Sequence, residues 1–384
     1  MFTDKQKNWI WIKSLHLSIS QERRLLQDMP DPSEIFDCIR RKDARLNHLN
    51  ANSQRILSTK ASEQERERAA AVLERNQIGV LLRDDPHYPA LLHQVVSPPE
   101  VLYYRGNLQT LQKPMLAMVG TRKPSQYGRN AAYAFAREVA MQGVCVVSGL
   151  ARGIDSQAHR GALDSQRAQS TTAVLTAGLD VVYPPENAAL FHSIEQNGIL
   201  ISENPPGYNV QRYSTPQRNR LIAGLAQVLL VVEAEFKSGS RYTVDASLEY
   251  GRDVFAVPGR IDDVMAQFPN YLIQLGAHVA LEPNDILDAF DWIRSPSRKQ
   301  PKQTREAKPM VPKAENVPAP RKQILSNKEN MVMNALKKEP MTADRLCMEL
   351  NWPVYELLVY LTKLEQINMI HRDMANHTFQ ICIS

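Results

Sequence analysis

Between Met115 and Ala280 the chain alternates short apolar, β-branched runs with amphipathic segments of helical period. The apolar runs predict strands at Leu116–Val119, Val144–Val147, Thr172–Leu175, Ile199–Ile201, Val228–Val232, Val254–Val257 and His278–Leu281. The amphipathic segments predict helices at Gly128–Met141, Asp155–Asp164, Glu186–Gln196 and Val244–Tyr250. Continuously apolar strands separated by helices are typical of a parallel sheet covered on both faces, with right-handed crossovers. The pattern therefore predicts an α/β fold, an extended Rossmann-like, doubly wound parallel sheet.

The N-terminal part of the chain has only helical patterns. Helices are predicted at Lys5–Leu15, Gln21–Leu26, Ser33–Arg41 and Ser62–Arg75. Ser20 and the pair Asp31-Pro32 are the residue types that start helices. We predict a helical domain over residues 1–76, and a Rossmann-like domain over residues 77–294 that begins with a bridge at Ile78–Gly106.

The C-terminal part changes composition twice. Ser295–Lys322 is rich in Pro, Lys and Arg and has no aromatic residue, which predicts a disordered basic linker over residues 295–323. That linker could hold nucleic acid weakly or serve only as a tether. Three helical patterns and two strands then predict a winged-helix domain over residues 324–384; they are Asn327–Leu336, Ala343–Leu350, Val354–Glu365, Asn368–Arg372 and Thr378–Ile383. Lys363 is the one cation of its third helix, which favours a structural or protein-contact role.

Composition narrows the class of protein. Of 384 residues, 43% are hydrophobic and 23% charged, as in soluble globular proteins. No apolar run reaches the roughly 18–20 residues of a membrane span, and we see no signal peptide. The four cysteines are scattered singly, which argues against a metal or disulfide framework and suits the cytoplasm. The net charge of +5 fits a polyanionic partner without requiring one.

Small and basic residues recur where the predicted strands end. Ligands of open parallel sheets bind beyond the carboxyl ends of the strands, where glycines and helix N-termini bring backbone N–H groups close to an anion. Arginines on the same rim add charge and a fork that fits phosphate. The residues predicted to form this anion site are Gly120, Thr121, Arg122, Ser148, Gly149, Arg152, Gly153, Arg218, Asn219, Arg220, Lys237, Ser238 and Gly239.

The order of these elements resembles that of the DprA/Smf DNA-processing family. The matching elements, spread over Ile78–Ala280, are VGTR, SGLARGID with AH, AGLD with YP, ISE, PQRNR, VVEA with SG, and VFAVPG. The ends resemble accessory modules of that family, a sterile-alpha-motif-like domain in front and a winged helix behind. The resemblance implies a cytoplasmic protein that binds single-stranded DNA, usually as a homodimer through its Rossmann-like domain. It also implies that the protein protects incoming DNA and helps to load the RecA recombinase during natural transformation.

The resemblance also implies which residues line the DNA pocket, namely Arg122 and the element Arg218-Asn219-Arg220. We expect one of the two arginines of that element to reach DNA and the other to pair with an acid such as Glu233. The sequence departs from the family pattern in three places. Arg241 lies in a usually apolar segment, Phe268 stands where relatives often have glycine, and Val181-Val182 replaces a basic residue.

Several polar residues allow two interpretations. Asp155 and His159 lie four residues apart and could bind a metal or act as base and acid, but a helix cap and a histidine held against the sheet are favoured. Glu203 and Glu233 could be catalytic carboxylates, although pairing with arginines is favoured. Asn270 is assigned a structural role in the pocket. We predict no catalytic residue, no metal and no cofactor.

Two enzymatic functions compete with DNA binding. Phosphoribohydrolases of the lysine-decarboxylase-like type share a related core, but they carry a PGGxGTxxE element that this chain lacks. A dinucleotide-dependent redox protein is disfavoured because no GxGxxG follows the first strand of the parallel region. These absences disfavour both enzymes, and the family resemblance implies binding and delivery of single-stranded DNA instead.

Overall fold

The computed structural model describes residues 1–41, 43–210, 214–294 and 327–350, and beyond them residues 352, 357, 360, 361, 364, 369–373 and 378–381. The chain divides into two compact units, Met1–Pro301 and Lys302–Ser384. No helix of the described residues is both long and apolar enough to cross a membrane.

The strands of the first unit are β1 Gly79–Leu82, β2 Val101–Gly106, β3 Met115–Val119, β4 Cys145–Ser148, β5 Thr171–Val174, β6 Ile199–Ser202, β7 Val228–Val231, β8 Asp253–Ala256 and β9 His278–Val279. The helices are α1 Asp4–Ser14, α2 Ile19–Asp28, α3 Pro32–Arg41, α4 Ala51–Lys60, α5 Glu63–Arg75, α6 Gln126–Met141, α7 Ile154–Asp164, α8 Ala188–Asn197, α9 Ser214–Leu225, α10 Ser240–Glu249, α11 Gln267–Gln274 and α12 Pro283–Arg294.

These strands form one sheet of nine in the order β1-β2-β6-β5-β4-β3-β7-β8-β9. From β6 to β9 all neighbours are parallel, which confirms the predicted doubly wound α/β fold. The bridge contributes two strands that were not predicted from the sequence, since β2 pairs antiparallel with β6 and β1 with β2. Helices α4, α9, α11 and α12 were likewise not predicted.

Each face of the sheet is covered by helices. On one face Leu221 and Ile222 of α9 and Leu272 of α11 pack with Ala117 and Leu229 of the central strands. On the other face, α6, α7 and α12 contribute the buried side chains Phe135, Val139, Ala158, Ala162 and Phe290. Burial of the central strands on both faces explains their uninterrupted apolar sequence.

The N-terminal helices share a hydrophobic cluster with the sheet. Trp11 and Leu25 belong to the same cluster as Tyr103 of β2 and Leu200 of β6. The indole of Trp11 donates to the carbonyl of Lys60 over 2.8 Å and so joins α1 to the end of α4. The core is therefore continuous across residues 76 and 77. The predicted domain boundaries and the sterile-alpha-motif likeness stay predictions.

Helix starts in this region follow capping chemistry. Thr3 and Gln6 form a reciprocal capping box at α1. The cap of α2 is Ser18, which accepts from the backbone N–H of Gln21. Ser20, the start expected from the sequence, lies inside that helix. The prediction was two residues late because both serines precede the apolar pair of α2.

In the second unit, α13 Asn327–Leu336 and α14 Ala343–Leu350 accompany a sheet ordered β10-β12-β11, with β10 Met341–Thr342, β11 Ile370–Asp373 and β12 Thr378–Ile381. Of the predicted third helix the structure describes Leu357, Tyr360, Leu361 and Leu364, which are helical. Its three leucines are buried with Val332 and Phe379. Lys363 and the predicted linker lie outside the described residues.

The strand order fixes where a ligand can bind. The chain runs outward from β3 through β4 and β5 to β6, and then returns to place β7 on the other side of β3. Such a reversal opens a crevice at the carboxyl ends of the two strands that flank it. Here these strands are β3 and β7, paired in the register Val119–Val231.

Candidate nucleic-acid interface

The turn after β3 is joined directly to the ends of two other elements. The backbone N–H of Thr121 donates to the carbonyl of Glu233 over 2.6 Å, and its carbonyl accepts from the N–H of Ile154 over 3.1 Å. A Cβ on Gly120 would lie 2.5 Å from Cγ1 of Ile154. Glycine is therefore needed at position 120 so that the β3 turn, the end of β7 and the start of α7 can meet.

Gly153, at the start of α7, lies against the same turn. Its φ is +82°, and a Cβ there would lie 2.3 Å from the carbonyl oxygen of Thr121 and 2.8 Å from Cα of Arg122. Any side chain would thus clash with backbone and would also be strained. Gly153 supports the backbone of Arg122 from behind.

Glu233 holds the start of α6. Its carboxylate accepts from the backbone N–H of Ser125 over 2.8 Å and from the Ser125 hydroxyl over 2.5 Å. A Cβ on Gly128 would overlap this carboxylate at 2.2 Å. A carboxylate at a helix N-terminus is favoured by the helix dipole. Glu233 is only 3% exposed, so this geometry supports a structural role for Glu233.

Among the cations predicted at the carboxyl ends of the strands, Arg122 and Lys237 have no partner among the described residues. Both side chains are exposed, and neither forms a hydrogen bond or an ion pair with any residue the structure describes. Lys123, which was not selected from the sequence, is also exposed next to Arg122. These charges can therefore meet an anion without first breaking a contact in the protein.

Arg218, by contrast, is an interior residue, 7% exposed. Its Nη1 donates to the carbonyls of Gly149 over 2.6 Å and Val174 over 2.5 Å. Burial, followed by the positive charge of Arg122, lowers the pKa of Arg218 to about 10, while Asp155 opposes the shift. A Cβ on Gly149 would lie 2.1 Å from Nη1. The guanidinium therefore braces the carboxyl ends of β4 and β5 from inside.

Arg220 pairs with an acid, but that acid is Glu203 and not Glu233. Its Nη2 lies 2.6 Å from Oε2 of Glu203, and the two side chains are 22% and 27% exposed. Its Nη1 is buried with no partner among the described residues. Within this element the intervening Asn219 accepts from Nε of Arg218 over 3.1 Å and donates to the carbonyl of Gly239 over 3.2 Å. The element thus joins α9 to the start of α10.

Asp155 and His159 have separate partners. The Asp155 carboxylate accepts from the N–H groups of Gly149 and Ala151, over 3.2 and 3.3 Å, and burial raises its pKa. Nδ1 of His159 lies 2.7 Å from the hydroxyl of Thr171, which itself donates to the carbonyl of Val146. Burial lowers the pKa of His159 to about 3, so its ring is neutral. Within the described residues no group of acids, His and Cys could hold a metal.

Three further predicted residues have partners within the protein. The Ser148 hydroxyl, fully buried, donates to the carbonyl of Met118 over 2.7 Å. The Asn270 amide both accepts from and donates to the backbone of Gly259, over 3.1 and 3.0 Å. Arg152 is exposed and pairs with exposed Glu186 over 2.5 Å.

The start of α10 is open to solvent. The Ser238 hydroxyl accepts from the backbone N–H of Ser240 over 3.2 Å, and a Cβ on Gly239 would meet nothing within 4 Å. Beside it lie two exposed aromatic residues, Phe236 and Tyr271, which were not selected from the sequence. Phe236 lies within the EAEFKSG segment after β7. Its position next to Lys237 was the one feature of the sequence that could have identified it as a candidate site residue.

The fold and these side chains define a class, doubly wound α/β proteins with exposed cations beyond the carboxyl ends of the strands at the topological switch point. Two family models match the chain, DNA recombination-mediator protein A over residues 79–291 and the DprA winged helix domain over residues 316–372. The chain belongs to the DNA recombination-mediator protein A family, and its C-terminal unit is a winged-helix domain.

Relatives agree with this assignment. The chain is 41% identical over 217 residues to protein Smf of Synechocystis, which covers 56% of this chain and 54% of that protein. It is 40% identical over 212 residues to the DNA processing protein DprA of Streptococcus pneumoniae, which covers 54% of this chain and 73% of that protein. The match thus spans about half the length of the Synechocystis relative.

Two solved structures share the fold. The DNA processing protein A of Streptococcus pneumoniae has a TM-score of 0.63 at 30% identity, covering 75% of this chain and 98% of that chain. The Helicobacter pylori protein, whose single-stranded DNA binding mode is described as unique, has a TM-score of 0.51 at 29% identity, covering 56% and 95%.

Proposed function

We propose that this protein is a single-stranded DNA-binding recombination mediator that protects incoming DNA and helps to load RecA in the cytoplasm. The observation that carries the proposal is the pair of free cations, Arg122 and Lys237, at the switch-point edge. Backbone phosphates of a single strand are bound largely through such charges, with little regard to sequence. The DNA binding described for the Helicobacter pylori relative supports the same ligand.

We assign the predicted site residues to two groups according to their exposure and hydrogen bonds. Arg122, Lys237, Arg152 and the open start of α10 at Ser238 and Gly239 are proposed to contact phosphates. The remaining residues shape the edge by holding its loops together; they are Gly120, Thr121, Ser148, Gly149, Gly153, Arg218, Asn219, Arg220, Asp155, His159, Glu203, Glu233 and Asn270.

Binding is favoured over catalysis because the buried acids are already engaged. Glu233 binds the start of α6, and Asp155 binds two backbone N–H groups. Neither is placed to take a proton from a substrate. The hydrolase alternative has its own assay. Release of base from nucleoside monophosphates, abolished by Glu249→Ala at the exposed last residue of α10, would establish it.

Arg122→Ala tests the phosphate site. Loss of a charge-assisted hydrogen bond should weaken binding of a single-stranded oligonucleotide at least tenfold. The slope of log affinity against log salt should fall by about 0.7 for each phosphate that the variant no longer neutralises. Fluorescence anisotropy over a salt series measures both quantities, and the onset of RecA filament formation on single-stranded DNA reports the loading step.

Arg137→Ala is the matched control for that experiment, because Arg137 is an exposed arginine of α6 paired with Glu138. It should bind DNA and assist RecA as the unmodified protein does. Unchanged affinity of Arg122→Ala would remove the central assignment of the proposed function.

The proposed homodimer has a candidate surface at the edge of the sheet. Strand β9 is the last strand in the sheet order. Val279 of β9 is 41% exposed, and Leu275 and Leu281 on either side of the strand are 66% and 75% exposed. An edge strand flanked by apolar side chains is suited to self-complementary pairing about a two-fold axis.

Leu281→Arg should therefore shift the protein towards monomer in sedimentation velocity at micromolar concentration, because a charge would be placed in an apolar contact. Leu248→Arg, at a leucine of α10 that is 60% exposed, is the matched control and should leave the association unchanged. An unaltered association state of Leu281→Arg would place the dimer surface elsewhere.

A further inference from the structure

An aromatic pair lies exposed beside the proposed phosphate contacts. Phe236 and Tyr271 are 43% and 40% exposed, and their ring centroids are 5.1 Å apart at an interplanar angle of 54°. Phe268, only 3% exposed, supports Phe236 from below in an edge-to-face contact at 6.2 Å. The pair is thus a supported surface and not two loose side chains.

Backbone hydrogen bonds fix this pair to the edge. The N–H of Ala234 donates to the carbonyl of Met265 over 2.8 Å, and the N–H of Phe268 donates back to the carbonyl of Ala234 over 3.3 Å. These bonds attach the start of α11, which carries Tyr271, to the end of β7. The preceding residue, Glu233, accepts from the N–H of Thr121. The aromatic pair and Arg122 are therefore positioned by one connected set of loops.

The residues around Phe236 and Tyr271 indicate which ligand the two rings fit. Lys237 follows Phe236 directly, is exposed, and has no ion pair among the described residues. A free ammonium beside open aromatic rings matches a nucleotide, which presents a phosphate and a flat base together. The same charges lie next to the switch-point crevice, so a strand held there by its phosphates would bring its bases within reach of the rings.

We propose that Phe236 and Tyr271 form a base-stacking platform for the single strand, with Lys237 contacting an adjacent phosphate. The proposal rests on the proposed function and adds to it the part of DNA that this surface recognises. The platform depends on Phe268, which stands where the family resemblance implies glycine. A glycine there would leave Phe236 without its edge-to-face support.

The test separates bases from phosphates. The full-length protein is titrated with a thymidine oligonucleotide and with an abasic oligonucleotide of the same length and charge. For the thymidine oligonucleotide, Phe236→Leu and Tyr271→Leu should each lose affinity about tenfold, the order expected for one stacked base. For the abasic oligonucleotide the loss should be less than about twofold, because the phosphate contacts remain.

Two further variants complete the design. Phe236→Trp should keep the affinity, and its fluorescence should be quenched by the thymidine oligonucleotide but not by the abasic one. Leu248→Ala removes an exposed apolar side chain at the far end of α10 and should change neither affinity. Circular dichroism and sedimentation velocity accompany each variant.

The results distinguish the stacking platform from the other roles that the two rings could have. Equal loss for both oligonucleotides, or no loss with either, would overturn the platform while leaving the proposed function standing. A change of association state in Phe236→Leu and Tyr271→Leu, without a base-dependent loss, would assign the rings to a contact between copies. Failure of the unmodified protein to bind either oligonucleotide would instead defeat the proposed function itself.

Discussion

Arg122 and Arg218 carry the same guanidinium, and the sequence predicts that both line a DNA pocket, yet the structure gives them opposite environments. Arg122 is exposed at the turn after β3, with no partner among the described residues. Arg218 is buried and donates to the carbonyls of Gly149 and Val174. The Nη1 group of an arginine that donates to interior carbonyls would have to break those bonds to bind a phosphate, whereas a free arginine can bind a phosphate without breaking such bonds.

The difference follows from the elements that carry the two residues. Arg122 stands on a short turn at the mouth of the crevice, supported by Gly153. Arg218 stands on α9, whose apolar residues Leu221 and Ile222 pack against the sheet. A helix that buries one face also buries the polar residues on that face, so Arg218 must find partners inside the protein. A position near the carboxyl ends of the strands is therefore not sufficient to leave an arginine side chain free for an anion.

Arg218→Met gives the largest effect expected from this comparison. Removing the guanidinium leaves two buried carbonyls without their donor, which should lower the free energy of unfolding by about 2–3 kcal/mol. Urea denaturation measures the change, and Arg218→Lys, which keeps a charge and donors, should lose less. Arg122→Ala is expected to leave the same denaturation curve unchanged.

A structural role for Arg218 would be refuted if Arg218→Met kept the free energy of unfolding of the unmodified protein and lost affinity for single-stranded DNA as Arg122→Ala is expected to do. Arg218 would then belong to the binding surface. If Arg218→Met instead lowers the free energy of unfolding while its folded fraction still binds DNA with unchanged affinity, the distinction between the two arginines is supported.

Much of the fold could be predicted from the sequence because burial on both sheet faces leaves an uninterrupted apolar pattern. The runs at Met115–Val119 and Val228–Val231 show this pattern directly. Strands β1 and β2 were not predicted. They pair antiparallel at the end of the sheet, and Tyr104 and Arg105 interrupt the apolar run of β2. Helix α9 was missed because Pro216 and the polar residues that follow it hide its apolar face.

The sequence predicts that the candidate residues lie at the carboxyl ends of the strands, but it does not predict which of their side chains are buried or paired. Glycines at the strand ends indicated the location of the candidate site. The cap expected at Asp155 was wrong, because Gly153 is the N-cap of α7 and Asp155, inside the first turn, binds N–H groups of the preceding loop. Which arginine is free depends on burial by residues distant in the chain, and a single sequence does not contain this information. The same holds for Phe236 and Tyr271, which only the packing of α11 against the end of β7 brings together.

A substitution in the ion pair Arg152–Glu186 has the smallest expected effect on affinity for single-stranded DNA. It tests whether an ion pair limits the binding of an arginine to DNA. Both side chains are more than half exposed, at 62% and 58%, so the ion pair is weak and exchanges readily with water or a phosphate. Glu186→Gln should therefore leave the unfolding midpoint unchanged and raise single-strand affinity about twofold at low salt. The gain should vanish at high salt, where the charge of Glu186 is already screened.

Anisotropy titrations at two ionic strengths measure this, with Glu138→Gln as the matched control, since Glu138 pairs with exposed Arg137 on α6. A decrease in affinity for Glu186→Gln would mean that the carboxylate positions Arg152 for DNA and does not compete with it. In that case an ion pair with a carboxylate would not by itself prevent an arginine from binding DNA. The distinction between Arg122 and Arg218 would then rest on burial alone.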